Sequence, residues 1–266
     1  MPLTPETLLD VEIKWRSNAS SSHWRIGLDP GVPFTFKAGQ YATLGVRGPH
    51  GTVERPYSIA SSPYESQLEF FIELVAEGEL TPLLHRMQPG DRLSLRKKAK
   101  GRFVFDVTSG RTNHLLLCTS TGIAPYVSYV RTLLRDWKHR RFAGHRLFLI
   151  QGASRSSELG YQAEFDRLVT EVPWLTYVPT VSRPWEDPTW KGEMGRLDAI
   201  LENYVERWSL RGRHTTAYLC GHPGMIEAGR EILRRRGWQN EAIREETYSP
   251  PARPILTETV FRTIAD

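Results

Sequence analysis

Apolar and polar positions alternate through the first part of the chain. Leu9-Asp10-Val11-Glu12-Ile13-Lys14-Trp15-Arg16 puts its apolar residues on every second position, the period of a strand with one buried face, and residues 23–28 repeat it. The same reasoning predicts short strands at 40–46, 55–60, 68–75, 92–95 and 102–105. Turn signals separate them at Asp29-Pro30-Gly31, Gly48-Pro49-His50-Gly51 and Pro89-Gly90-Asp91. One short helix fits at 81–87, with Thr81 as N-cap and Pro82 in the first helical position. Many short strands and a single helix predict an antiparallel β-barrel.

The pattern changes near residue 110. Apolar runs at 115–118, 146–151, 175–181 and 216–220 each precede a helical stretch, at 123–137, 157–170, 197–208 and 223–236. Repeated strand–helix units predict a parallel sheet that binds ligands at the carboxyl ends of its strands. Two domains follow: an antiparallel β-barrel over 1–108, then an α/β parallel-sheet domain over 109–266 with a C-terminal tail at 249–266. The length of 266 residues suits that division.

Composition narrows the function. Lys and Arg number 35 against 30 Asp and Glu, and the excess is spread through both halves, so nucleic-acid binding is not expected. The two cysteines, Cys118 and Cys220, are too few for a disulfide scaffold, a four-cysteine zinc site or a cysteine-held iron–sulfur cluster, and no metal is expected. No stretch approaches the roughly 18 apolar residues of a membrane span. No basic region followed by an apolar run opens the chain, so the expected compartment is the cytoplasm.

Five features carry candidate chemistry. In Arg55-Pro56-Tyr57-Ser58-Ile59-Ala60-Ser61, Arg55 and Tyr57 share a strand face, where a guanidinium can grip phosphate and a flat ring can stack; an ordinary barrel strand reads the same way. Glu77-Gly78-Glu79-Leu80-Thr81-Pro82 is a glycine turn into a helix start, either an anion site or a plain cap. Leu115 to Cys118 runs through Thr119-Ser120-Thr121-Gly122-Ile123-Ala124-Pro125 into a helix, the place for a dinucleotide pyrophosphate. Arg155, Ser182, Arg183 and Arg196 follow later strands or turns, where they suit a 2′-phosphate and hence NADP(H), or are scattered surface charge. Cys220, before Gly221-His222-Pro223, is either a thiol at a ligand edge or a small buried hydrophobe.

Taken together, over residues 5–248, these runs resemble the ferredoxin–NADP(+) reductase superfamily, most closely its bacterial ferredoxin/flavodoxin–NADP(+) reductases. The resemblance implies an FAD enzyme that uses NADP(H) as substrate. Tyr57 would stack on the isoalloxazine, Ser58 would bond flavin N5, and Arg55, Gly78 and Thr81 would hold the FAD pyrophosphate. Thr121 and Gly122 would hold the NADP pyrophosphate, and Arg155, Ser182, Arg183 and Arg196 the 2′-phosphate. Cys220 and Gly221 would lie beside the nicotinamide, and Glu246-Thr247-Tyr248 would match the family's Glu-x-aromatic, Glu246 as proton or nicotinamide partner and Tyr248 at the flavin. Two departures stand out. Position 120 is Ser where the loop commonly has Gly, and the chain runs 18 residues beyond Tyr248. The tail 249–266 is thus a rival cover for the flavin, and neighbouring Glu245 a rival for Glu246.

Without a cluster of its own, such an enzyme needs a separate one-electron partner, and the resemblance implies a ferredoxin or flavodoxin met transiently by a monomer. Those carriers are typically acidic. Arg92, Arg96, Lys97, Lys98, Lys100 and Arg102 form a basic stretch that could steer one, or simply a solvated face. Two alternatives stand beside this reading: a flavin, quinone or oxygenase reductase on the same fold, and a basic binding module with no redox role.

Overall fold

The computed structural model describes residues 8–48, 51–142 and 144–248, so the tail expected at 249–266 lies outside the described residues. Strands β1 (Leu8–Asn18), β2 (His23–Asp29), β3 (Tyr41–Gly48), β4 (Gly51–Ser58), β5 (Leu68–Glu73) and β6 (Arg92–Arg96) form one antiparallel sheet in the order β4-β3-β6-β1-β2-β5. Just past β4, the Ala60 amide donates to the Glu69 carbonyl of β5 at 2.8 Å, so the outermost strands meet and the sheet curls into a partly closed barrel. The alternating residues read from sequence line its interior: Val11, Ile13, Ile26, Leu28, Leu44, Phe70, Leu93 and Leu95 are all buried there.

The expected strand at 102–105 does not form. Gly101 turns the chain at φ 111°, and the Phe103 carbonyl accepts from the Tyr129 hydroxyl at 2.6 Å rather than from a strand neighbour. Its ring packs among Tyr126, Tyr129 and Tyr218 of the second domain. Helix α1 (Thr81–Arg86) is present, but its N-cap is Leu80, not Thr81. The Thr81 hydroxyl is engaged elsewhere, donating to the Val75 carbonyl at 3.0 Å and accepting from the Val75 amide at 2.9 Å, which closes the 75–81 loop.

The second sheet is parallel throughout. It contains β7 (Asn113–Thr119), β8 (Arg146–Ala153), β9 (Leu175–Val181), the short β10 (Glu193–Met194), β11 (Thr215–Gly221) and β12 (Ile243–Thr247), ordered β10-β9-β8-β7-β11-β12. Helices α2 (Ala124–Lys138), α3 (Gln162–Glu171), α4 (Leu197–Arg207) and α5 (Pro223–Arg235) connect them. Strand order reverses between β7 and β11, which places the binding crevice at their carboxyl ends. Helix α3 starts five residues later than expected. A 3-10 turn at Ser156–Glu158 comes first, and Gly160 then lies against Phe71 of the barrel, where a Cβ would come within 2.5 Å of the ring, before α3 begins.

The two domains share buried polar contacts. Arg131 of α2 donates to Glu69 at 2.6 Å and to Glu164 at 2.8 Å, while the Tyr161 hydroxyl donates to the other Glu69 oxygen at 2.8 Å. The Ser128 hydroxyl donates to the Ser61 carbonyl at 2.7 Å. Among the described residues, no helix is long and apolar enough to cross a membrane.

Candidate active site

A cleft of about 1100 Å³ runs between the two sheets. Its wall brings together Arg55, Tyr57, Ser58, Gly78, Thr81 and Tyr248 from the residues expected at a flavin, and Thr121, Arg155, Ser182, Arg196 and Gly221 from those expected at a dinucleotide. Gly122, Arg183, Cys220 and Glu246 stand behind or beside that wall.

On the barrel side, β4 delivers Arg55, Tyr57 and Ser58 at its carboxyl end. Arg55 lies at the lip, donating to Glu79 at 2.7 Å across the 75–81 loop, which also carries Gly78 and Thr81. Tyr57 is half-buried against the barrel core, and burial pushes its phenol well above the ordinary value.

Ser58 is buried and sits in a polar chain. The Tyr248 hydroxyl donates to Ser58 Oγ at 2.8 Å, and Ser58 Oγ donates to Glu246 Oε2 at 3.2 Å. Burial raises the Glu246 carboxyl to about 7, with the Ser58 hydroxyl pulling the other way. The rival Glu245 points elsewhere, into an ion pair with Arg230 at 2.8 Å; adjacent strand residues face opposite sides of a sheet. Cys220 is fully buried in the core with Tyr248 packed against the same cluster, and burial pushes its thiol well up.

The turn between β7 and α2 is a close backbone crossing. A Cβ on Gly122 would come within 2.3 Å of the Cys220 carbonyl oxygen, and one on Gly221 within 2.5 Å of Thr119 Oγ1. Gly221 also holds φ 130°, a conformation that favours glycine. The His222 amide donates to Thr119 Oγ1 at 3.0 Å, fastening β11 to β7. Ser120 is left-handed, at φ 48°. Its side chain turns toward the barrel, to His23 and Glu73, and both of these residues also line the cleft. No sequence signal marks His23 or Glu73, each an ordinary polar residue at the end of a strand.

The arginines at the far end all meet carboxylates. Arg155 bonds Glu186 and, at 3.2 Å, Glu158; Arg183 lies 3.5 Å from Glu186; Arg196 lies 3.1 Å from Asp198. Glu158 also accepts from the backbone amides of Ser154 and Arg155 at 2.9 and 3.3 Å, which fixes the loop. Sequence reasoning named the cations and missed these anions.

The residues fit an extended cofactor and a second dinucleotide. The cleft is larger than the ~300–1,000 Å³ of ordinary small-molecule pockets. Gly122 and Gly221 clear side chains from the turn that leads into the 15-residue helix α2, whose start offers backbone amides and the positive end of the helix dipole.

The oxidoreductase FAD-binding domain family matches residues 10–105, and the oxidoreductase NAD-binding domain family matches residues 116–231. The flavodoxin/ferredoxin–NADP reductase of Escherichia coli is 32% identical over 203 residues, spanning 74% of this chain and 77% of that one. The reductase component of a phenol 2-monooxygenase from a Pseudomonas species is 30% identical over 222 residues, spanning 82% of this chain and 59% of the longer relative. A solved ferredoxin NADP+ reductase from Neisseria gonorrhoeae, with bound FAD and NADP, has a TM-score of 0.78 at 25% identity and covers 91% of this chain and 98% of its own. An FAD-binding barrel and an NADP-binding parallel sheet, in this order around one cleft, make the chain an oxidoreductase that belongs to the ferredoxin–NADP reductase family.

Proposed function

We propose that the protein transfers a hydride between NADP(H) and FAD and single electrons between FAD and an acidic ferredoxin or flavodoxin. Residues 1–108 bind FAD and residues 109–266 bind NADP(H). The observation that carries this reading is Tyr248. Its amide donates to the Gly221 carbonyl at 3.2 Å and its hydroxyl to Ser58 at 2.8 Å, so the two half-sites meet across one side chain.

Bound FAD supplies the conversion between two-electron and one-electron transfer. The chain supplies binding, orientation and a proton. Arg55 with the backbone of Gly78 and Thr81 holds the FAD pyrophosphate, Tyr57 and Tyr248 offer ring faces, and Ser58 bonds a flavin ring nitrogen. Thr121 and Gly122 cradle the NADP pyrophosphate, with Cys220 and Gly221 at the nicotinamide site. Arg155, Ser182, Arg183 and Arg196 hold the 2′-phosphate. Glu246, whose carboxyl accepts from the Ser58 hydroxyl, would hold a proton that Ser58 could relay to bound flavin.

The carrier meets a basic edge. Arg92 and Arg96 are taken by Asp10 and Glu54, whereas the exposed Lys97, Lys98, Lys100 and Arg102 make no ion pair among the described residues. Lys100 bridges to Tyr41, whose β4 partner is Ser58, which supports a docking face on the barrel side of the cleft. On this reading the enzyme is a cytoplasmic monomer that binds its carrier transiently.

A second reading keeps the fold and changes the acceptor to an oxygenase component, free flavin or a quinone; the monooxygenase reductase relative supports the first of these. Protein loaded with FAD should turn yellow, bleach anaerobically with NADPH faster than with NADH, and then reduce ferredoxin or flavodoxin. Failure to take up FAD overturns the proposal, and a preference for NADH overturns the roles of Arg155, Arg183 and Arg196. Turnover with free flavin alone would favour the second reading.

A further inference from the structure

The loops after β8 and β9 are zipped together at the far end of the cleft. The Ser182 amide donates to the Ala153 carbonyl and the Arg183 amide to the Ser154 carbonyl, both at 3.0 Å. This brings Arg155 and Arg183 to a single carboxylate, that of Glu186, on the one-turn segment Pro184–Glu186. The next residue anchors that segment. Asp187 accepts from the Ser156 hydroxyl and from the Thr189 amide and hydroxyl, at 3.0 and 2.6 Å for the last two.

The other carboxylate on Arg155 behaves differently. Glu158 is nearly buried, at 12% side-chain exposure, and is committed to two backbone amides as well as the guanidinium. Glu186 is 33% exposed, and its described side-chain partners are the two arginines. It is the anion free to leave.

We propose that Glu186 is an internal stand-in for the 2′-phosphate, occupying Arg155 and Arg183 in the free enzyme and weakening NADP(H) binding by competition. The proposal rests on the reading that these arginines hold the 2′-phosphate. A phosphate dianion needs guanidinium donors that Glu186 holds, and it is repelled by the carboxylate if it approaches without displacing it. A 2′-hydroxyl needs no such donors. Glu186 therefore lowers affinity for the phosphorylated dinucleotide selectively, which limits discrimination against NAD(H) and speeds release of NADP+.

Calorimetric titration of the FAD-loaded protein with NADP+, and separately with NAD+, tests this in wild type, Glu186→Gln and Arg155→Ala. Exposed ion pairs are weak, so the expected gain for Glu186→Gln is about three- to fivefold tighter NADP+ binding, with NAD+ unchanged and FAD content as in wild type. Equal tightening for both nucleotides would overturn selective competition. Weaker or unchanged NADP+ binding would show that Glu186 orients Arg155 or lies idle, and would overturn it as well. Arg155→Ala separates the two levels. If that variant binds NADP+ as wild type does, the phosphate-site reading fails and the inference with it. If it binds NADP+ more weakly while Glu186→Gln shows no gain, the inference alone fails.

Discussion

Ser120 Oγ lies 2.8 Å from His23 Nε2, across 97 positions of sequence and across the boundary between the two domains. The same oxygen donates to Glu73 at 2.7 Å, His23 Nε2 lies 3.5 Å from that carboxylate, and the contacts from His23 and then Ser120 hold the Glu73 carboxyl below its ordinary value. A left-handed backbone costs an ordinary residue roughly 1–2 kcal/mol, which glycine avoids. Ser120 tolerates that conformation while its hydroxyl ties the dinucleotide loop to the barrel. Ser120→Ala keeps the backbone strain and loses both bonds, so it should destabilise the protein by about 2 kcal/mol. Ser120→Gly loses the bonds and also the strain, and should be about 1 kcal/mol more stable than the alanine variant. Urea unfolding of the three proteins gives the order; an alanine variant more stable than the glycine variant would remove the claim of strain.

Gly122 makes a sharper prediction about binding. Its missing Cβ would meet the Cys220 carbonyl at 2.3 Å, and backbone on both sides leaves nothing flexible to give way. Gly122→Ala must push the β7–α2 turn off β11, at a cost of about 1–3 kcal/mol. NADP+ affinity should fall at least tenfold while FAD, held by the other domain, is retained. Titration of NADP+ against the yellow protein measures it, and unchanged affinity would remove this turn from the dinucleotide site.

These two residues show what the sequence could and could not reveal. The small-residue turn after a buried strand is local, and residues 119–125 announce it without help. The role of Ser120 depends on His23 and Glu73, which reach it only through packing of one domain on the other. The same holds for the arginines. Arg155 and Arg183 are visible as cations after strands, but Glu186 becomes their counter-ion only when two separate loops lie side by side. Strand β12 escaped for another reason. Ile243-Arg244-Glu245-Glu246-Thr247 has almost no apolar signal, because it sits at the edge of the sheet and takes its place by pairing with β11. Residues 102–105 failed in the opposite sense, since their aromatics serve the interface with α2 rather than a barrel strand.

The basic edge predicts a dependence on salt. Reversing Lys97, Lys98 and Lys100 to Glu should slow reduction of an acidic carrier about tenfold or more at low ionic strength, where steering is strongest. Reduction of ferricyanide by NADPH, which needs no docking face, should be unchanged. In wild type the carrier rate should fall as salt rises, over a range set by a screening length of roughly 10 Å at 0.1 M. A rate independent of salt, or equal loss with both acceptors, would take the patch out of carrier binding.

Glu246 couples the site to pH. Its carboxyl titrates near 7 in the fold against an ordinary value of 4.5, because burial disfavours the charged form. The folded state therefore holds this proton more tightly than the unfolded chain. The resulting stabilisation is complete below pH 4.5 and is lost as pH rises through 7. Glu246→Gln is neutral at every pH and lacks that loss. Between pH 5 and pH 8 wild type should lose stability relative to the variant, by at most about 3 kcal/mol for a shift of this size. Paired urea melts at the two pH values measure the difference. A gap between the proteins that stays constant with pH would mean that Glu246 is already ionised in the fold at pH 5, and Ser58 would then face a fixed carboxylate rather than a proton store.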